Sequence, residues 1–163
     1  MKDLAELYVK KSDLSYIRNS AIELRRWDLT PRQICDLELL MNGAFSPLKG
    51  FLTKIDYENV LNHMRLSDGS LWPIPIILDV TEDFAKSISI GKSIALCDQE
   101  GVILAKMIIS DLWVPDKKLE AQEVYGSIDD SHPGVDYLFN STCLLYTSPS
   151  PRDATLSRMP SSA

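Results

Sequence analysis

Apolar positions along the chain follow a helical rhythm at first and a strand rhythm later. Leu4, Leu7 and Tyr8 recur at helical spacing and predict a helix over Asp3–Lys11. A polar connection is expected from there to about Trp27. Thr30, Pro31 and Gln33 then predict a helix start: a hydroxyl N-cap, proline at the first helical position, and a glutamine completing a capping box. Ile34, Leu37, Leu40 and Met41 share one face, and Asn42-Gly43 stops the helix because glycine enters the left-handed region at little cost. A further helix is predicted over "KIDYENVLNHMRL", with Tyr57, Val60, Leu61 and Met64 inward, followed by a turn at Asp68-Gly69.

The pattern then changes to runs of β-branched residues. "LWPIPIILDV", Leu71–Val80, predicts a strand whose Pro73 and Pro75 place its start at an edge or a bulge. "KSIALCD" and "VILAKMIIS", separated by the turn "QEG", predict a β-hairpin. "DKKLEAQEVYG" predicts a surface helix stopped by Gly126, and another short helix is expected from Pro133. The sum is an α+β fold. Its strands cluster mid-chain instead of alternating with long helices, which disfavours a doubly wound sheet.

The last segment breaks every rhythm. "CLLYTSPSPRDATLSRMPSSA", Cys143–Ala163, is rich in Ser and Pro and lacks periodicity, the signature of a disordered tail. It also resembles a translated oligonucleotide. The mosaic end of a common tagmentation sequencing adapter reads Cys-Leu-Leu-Tyr-Thr-Ser, its continuation reads Pro-Ser-Pro-Arg-Asp, and a variable index leads to Ser-Arg-Met-Pro-Ser-Ser-Ala. That resemblance implies that residues 143–163 are an adapter-derived, non-native and disordered tail, and that the gene runs on past residue 142. Arg152, Arg158 and Asp153 fall in this tail, so without it the net charge moves from −6 to −7.

Composition narrows the function classes. A chain of 163 residues with 45% hydrophobic and 25% charged residues suits one soluble domain with a real core, or one domain plus a tail. The acidic balance argues against a nucleic-acid partner, which needs a basic field. No signal peptide or membrane span is evident, so a cytoplasmic location and no membrane partner are expected. Cys35, Cys97 and Cys143 lie far apart, with no CxxC or Cys/His cluster, which disfavours zinc and suits a reducing compartment.

No constellation reads as catalytic. Gly91-Lys92-Ser93 has Lys86 where a phosphate loop needs glycine, and it precedes a strand, so a turn is expected there. His63, near Arg65, has no identifiable partner for base catalysis. His132, before Pro133 and close to Asp129-Asp130, reads as a residue at the start of a helix. Asp36 and Glu38 are two apart and do not share a helix face. Asp68 and Asp98 sit in turns, where Asp bonds its own backbone. Asp129-Asp130 lacks a third ligand for a metal. Trp27, Trp72 and Trp113 have no basic residues interleaved and read as core or interface anchors.

Four segments, "WDLTPRQICDLELLMNGAFSPLKGFL", "MRLSDGSLWPIPIILDV", "IALCDQEGVILAKMIISDLWVPDKKLEAQEVYG" and "HPGVDYLFN", together resemble the N-terminal domain of the sulfate adenylyltransferase (ATP sulfurylase) family. The likeness runs from about Leu4 to Asn140, and Arg32–Phe51 is its most specific part. It implies a PUA-like β-barrel domain with helical additions over residues 1–142, followed in the whole enzyme by a nucleotidyltransferase domain that joins ATP and sulfate, with Mg²⁺, into adenosine 5′-phosphosulfate and pyrophosphate. In that family the chemistry belongs to Gln-x-Arg-Asn, His-x-x-His and Gly-Arg-Asp-His segments, and none of these occurs in this sequence. The resemblance therefore places no catalytic, cofactor-binding or metal-binding residue here. It implies an inactive fragment whose partners are the missing catalytic domain, further copies of the full-length chain, and a fused adenylylsulfate kinase like that of some bacterial members. The alternative is a stand-alone PUA-like binding or oligomerisation module.

Overall fold

The computed structural model describes residues 7–140 and the backbone of residues 145–149. The helix expected over Asp3–Lys11 lies outside the described residues up to residue 6. From Leu7 to Lys10 the chain is not helical. Leu7 N–H instead donates to Met41 O (3.0 Å), one of the carbonyls that a helix end leaves free. The expected polar connection contains two elements, helix α1 (Leu14–Ile22) and strand β1 (Arg25–Asp28). Both are short on apolar signal. α1 buries Ile17 and Ala21, and β1 is exposed except at Trp27.

Helix α2 (Pro31–Met41) carries the predicted capping box: Gln33 N–H donates to Thr30 Oγ1 (3.3 Å), and Thr30 N–H donates to Gln33 Oε1 (3.0 Å). Leu37, Leu40 and Met41 are buried, Ile34 is half-buried, and Gly43 turns the chain at φ 79°. The connection that follows packs inward through Leu48, Phe51 and Leu52, and Phe45 meets Trp72 edge-on at 5.7 Å. Helix α3 (Lys54–His63) buries Tyr57, Val60 and Leu61. Met64, expected inward, is instead 54% exposed: it takes the left-handed conformation that ends the helix (φ 52°), which swings its side chain off the buried face.

The predicted strand over Leu71–Val80 is ladder-paired only as β2 (Leu78–Val80). Leu71 instead bridges Arg65 across the Asp68-Gly69 turn, and Pro73 and Pro75 withhold donors between the two. Helix α4 (Glu82–Lys86) follows, capped by Thr81, whose Oγ1 accepts from Phe84 N–H (3.3 Å). The predicted hairpin is present as β3 (Ser93–Cys97) and β4 (Ile103–Trp113), with β4 longer than expected. Asp98 Oδ1 accepts from Glu100 and Val102 N–H and closes its turn. Helix α5 (Lys117–Tyr125) is bounded by Asp116 and Gly126, and α6 (Pro133–Asn140) starts at the predicted proline.

Leu145–Pro149 form strand β5, which completes a mixed sheet in the order β1-β3-β4-β5-β2. The sequence predicts disorder there, whereas the backbone of these five residues is paired. The rest of the tail, Cys143 included, lies outside the described residues. An extended segment pairs through its main chain, so a tail without apolar rhythm still fits a ladder. β1 lies parallel to β3, and the other pairings are antiparallel. The expected α+β class holds. The described strands form an open sheet with β1 and β2 at its edges, and helices complete the enclosure of the core.

β3 is buried on both faces, from Ile94 to Cys97. Ile94 and Leu96 join Leu37, Leu40, Tyr57, Val60, Leu78, Met107 and Ile109 in the main core. Ala95 and Cys97 face α1 through Ala21. Ala121, Val135 and Leu138 hold α5 and α6 together in a third cluster. Among the described residues no helix is long and apolar enough to cross a membrane.

Candidate functional site

The main concentration of buried polar groups lies where α2, α5, α6 and the Ile74–Asp79 stretch meet. Capping fixes the first turn of α2 and turns Gln33 inward. Its side chain is 2% exposed, and Nε2 donates to Asp79 O (2.8 Å) and Asp79 Oδ1 (2.7 Å) while Oε1 serves the cap. Nearby, Tyr57 Oη donates to the buried Glu120 Oε2 (2.7 Å), which ties α3 to α5. Next to Gln33 on α2, the Arg32 guanidinium lies over the Tyr137 ring, 4.8 Å from its centroid, and 3.9 Å from Asp36.

Electrostatics at this spot follow from burial. Burial pushes the Asp36 carboxyl above the usual range; Arg32 opposes the shift and Asp79 adds to it. Burial works against the Arg32 charge, but Tyr137 and Asp36 outweigh it and raise its pKa. A carboxyl whose folded pKa is raised binds its proton more tightly in the folded state. Its ionised form therefore costs stability, and that cost disappears as pH falls through the raised pKa. Asp36→Asn is expected to melt higher than the parent at pH 7 and to lose that advantage in acid, as thermal melts across the two conditions will read.

These groups serve one another and leave little for a ligand. The cleft among them holds about 20 Å³, room for about one water. Among the described residues of its lining, Arg32 is the only cation, beside Asp36, Asp79 and Glu120, the wrong sign for a triphosphate. A second, open hollow of about 220 Å³ lies between residues 47–53 and Leu66–Asp68. Its Asp56 is committed to structure: Oδ1 accepts from Ser67 N–H (2.8 Å) and Oδ2 from Thr53 Oγ1 (3.1 Å). Among the described residues no group of three His, Cys, Asp or Glu could hold a metal ion. The cleft of about 20 Å³ therefore does not fit ATP.

The residues singled out in the sequence are scattered. Gly91, at φ 83°, turns the chain into β3, and its N–H donates to Ile109 O (2.7 Å). His63 is exposed at the end of α3. His132 opens α6: its Nδ1 accepts from Gly134 N–H (3.1 Å), and its ring lies 5.3 Å from that of Tyr125. Asp68 Oδ1 accepts from Ser70 N–H, and Asp129 Oδ1 accepts from Ser131 N–H, which lowers the Asp129 pKa. Glu38 and Asp130 are exposed, and the structure does not bring them into the cleft. Trp113 is buried 5.9 Å from Tyr57, and Trp27 packs 4.8 Å from Phe84, so both anchor the core. Cys35 is exposed; Cys97 is buried, and burial raises its pKa. The Gln33–Asp79 and Tyr57–Glu120 contacts join residues far apart in the chain and had no local sequence signal.

The chain is 46% identical over 138 residues to a sulfate adenylyltransferase of Eremothecium gossypii, covering 85% of this chain and 27% of that one. It is 45% identical over 132 residues to the sulfate adenylyltransferase of Saccharomyces cerevisiae, covering 81% and 25%. It therefore spans about a quarter of the length of these curated relatives. Among solved structures it is similar to one titled "Hexameric APS kinase from Thiobacillus denitrificans", with a TM-score of 0.63 and 37% identity, covering 69% of this chain and 22% of that one. The family profile described as "PUA-like domain" matches residues 1–146, nearly the whole described fold, and the chain belongs to the PUA-like domain family.

Proposed function

We propose that this chain is the PUA-like scaffold domain of a sulfate adenylyltransferase, and that the reaction of ATP with sulfate is carried out by residues outside it. The observation that carries this reading is the 46% identity to a sulfate adenylyltransferase, spread over only 27% of that relative's length. The cleft supports it, because its polar groups are spent on holding α2, α3, α5 and α6 in place. In this reading residues 143–163 are not native, and the whole protein acts in the cytoplasm on ATP, sulfate and Mg²⁺. It also assembles with further copies of itself. The similarity to a protein titled a hexameric APS kinase supports both assembly and a kinase fused to the same chain.

The test is to read the genomic locus past codon 142. An open frame encoding Gln-x-Arg-Asn within roughly the next hundred codons, about one domain length, is expected. A native stop codon near 142 would overturn the proposal in favour of a stand-alone binding or oligomerisation module.

A further inference from the structure

Strands β4 and β2 do not pair with each other; among the described residues β5 alone joins them. β2 meets β5 through Leu78↔Thr147, Asp79↔Tyr146 and Val80↔Leu145. β4 meets it through Leu112↔Thr147 and Trp113↔Tyr146, with a register shift between Ile109 and Asp111. β2 has no other ladder, yet Leu78 and Val80 are fully buried in the main core. Taking β5 away would leave two facing rows of main-chain donors and acceptors with a buried strand on one side, an arrangement that accepts an added strand.

The segment filling this gap is Leu-Tyr-Thr-Ser-Pro, taken from the Ser/Pro-rich tail that follows Asn140. Nothing in its composition marks it as a core strand. What it offers is an extended main chain, continuous with the chain that leaves α6 at Asn140. We infer that the gap between β4 and β2 is a strand-acceptor site that binds through main-chain pairing, and that its occupant in the native protein is the first extended segment after Asn140. The acceptor site stands on the sheet geometry alone. The identity of the native occupant rests on the reading of residues 143–163 as foreign.

Hydrogen exchange in the full chain tests both parts. Thr147 stands opposite both Leu78 and Leu112, so Thr147→Pro removes a ladder donor at the centre of the slot. It is expected to speed exchange at the Leu78–Val80 amides at least about tenfold, while the Ile94–Leu96 amides stay protected. The double variant Tyr146→Val, Ser148→Thr keeps the main chain and is expected to leave protection unchanged. Unchanged protection in Thr147→Pro would overturn the acceptor site. Loss of protection in the double variant would overturn recognition through the main chain, and this arm still decides if the proline variant fails to fold. Replacing residues 143–163 with the continuation read from the locus is expected to preserve protection. If protection is then lost while the other arms behave as expected, only the native occupant is wrong. A stop codon near 142 removes that occupant and the proposed function together, and leaves the acceptor site standing.

Discussion

Leu40→Ala is expected to destabilise the domain by about 2–5 kcal/mol, as emptying a fully buried leucine site does elsewhere. Leu40 is 0% exposed, and its helix delivers it into the main core. The cost combines the lost transfer of the side chain out of water with the cavity left behind. The range reflects how far α2 can settle into that space. α2 is pinned at its start by the capping box and by the Gln33 bonds to Asp79, which limit collapse and favour the upper half of the range. For a chain of this size each kcal/mol moves the melting temperature by about 2–4 °C. Denaturant melts with an unchanged slope will read the effect. Ile55→Ala provides the comparison: Ile55 is 66% exposed, and its loss is expected to stay within about 0.5 kcal/mol.

Tyr57→Phe is expected to cost about 1–3 kcal/mol, the usual range for removing one hydrogen-bond partner from a buried polar group. The hydroxyl donates to Glu120 Oε2 at 2.7 Å, and both side chains are buried. Phenylalanine keeps the ring and its packing against Trp113 while removing one donor to the Glu120 side chain. Glu120→Gln retains an acceptor for the hydroxyl and should cost less. A double-mutant cycle on the pair is expected to give a coupling of about 0.5–3 kcal/mol, as for other contacting residues. A coupling near zero would mean that the contact adds nothing to the docking of α5 on α3.

The contrast between these two sites also explains what the sequence made legible. Leu40 lies on a stripe within one helix, and the Thr30-Pro31-x-Gln33 start is a local signal that needs no tertiary information. The β3–β4 hairpin and the end of α5 at Gly126 were legible for the same reason. Tyr57 and Glu120 are 63 positions apart, and no periodicity relates them. α1 and β1 were hidden because each buries too little to set a rhythm, and β2 because its pairing depends on a segment far along the chain. Met64 misled because its apolar character fits the helical stripe, whereas its backbone conformation ends the helix. β5 was illegible because a ladder reads main chain, and the rhythm of side chains does not report it.

The candidate site divides in the same way. Individual carboxylates and histidines could be placed in turns and helix starts from their neighbours in sequence. The cleft of Arg32, Gln33, Asp36, Asp79 and Tyr137 exists only because four separate segments converge. Its geometry is that of a joint: donors meet acceptors within the protein, and the space left is about that of a single water.

Whether this domain carries any chemistry of its own is most directly read by incubating the purified 163-residue chain with ATP, Mg²⁺ and sulfate and following pyrophosphate. The account predicts no release above the level without sulfate. Sulfate-dependent release would contradict it and would place a catalytic group among the residues described here as structural.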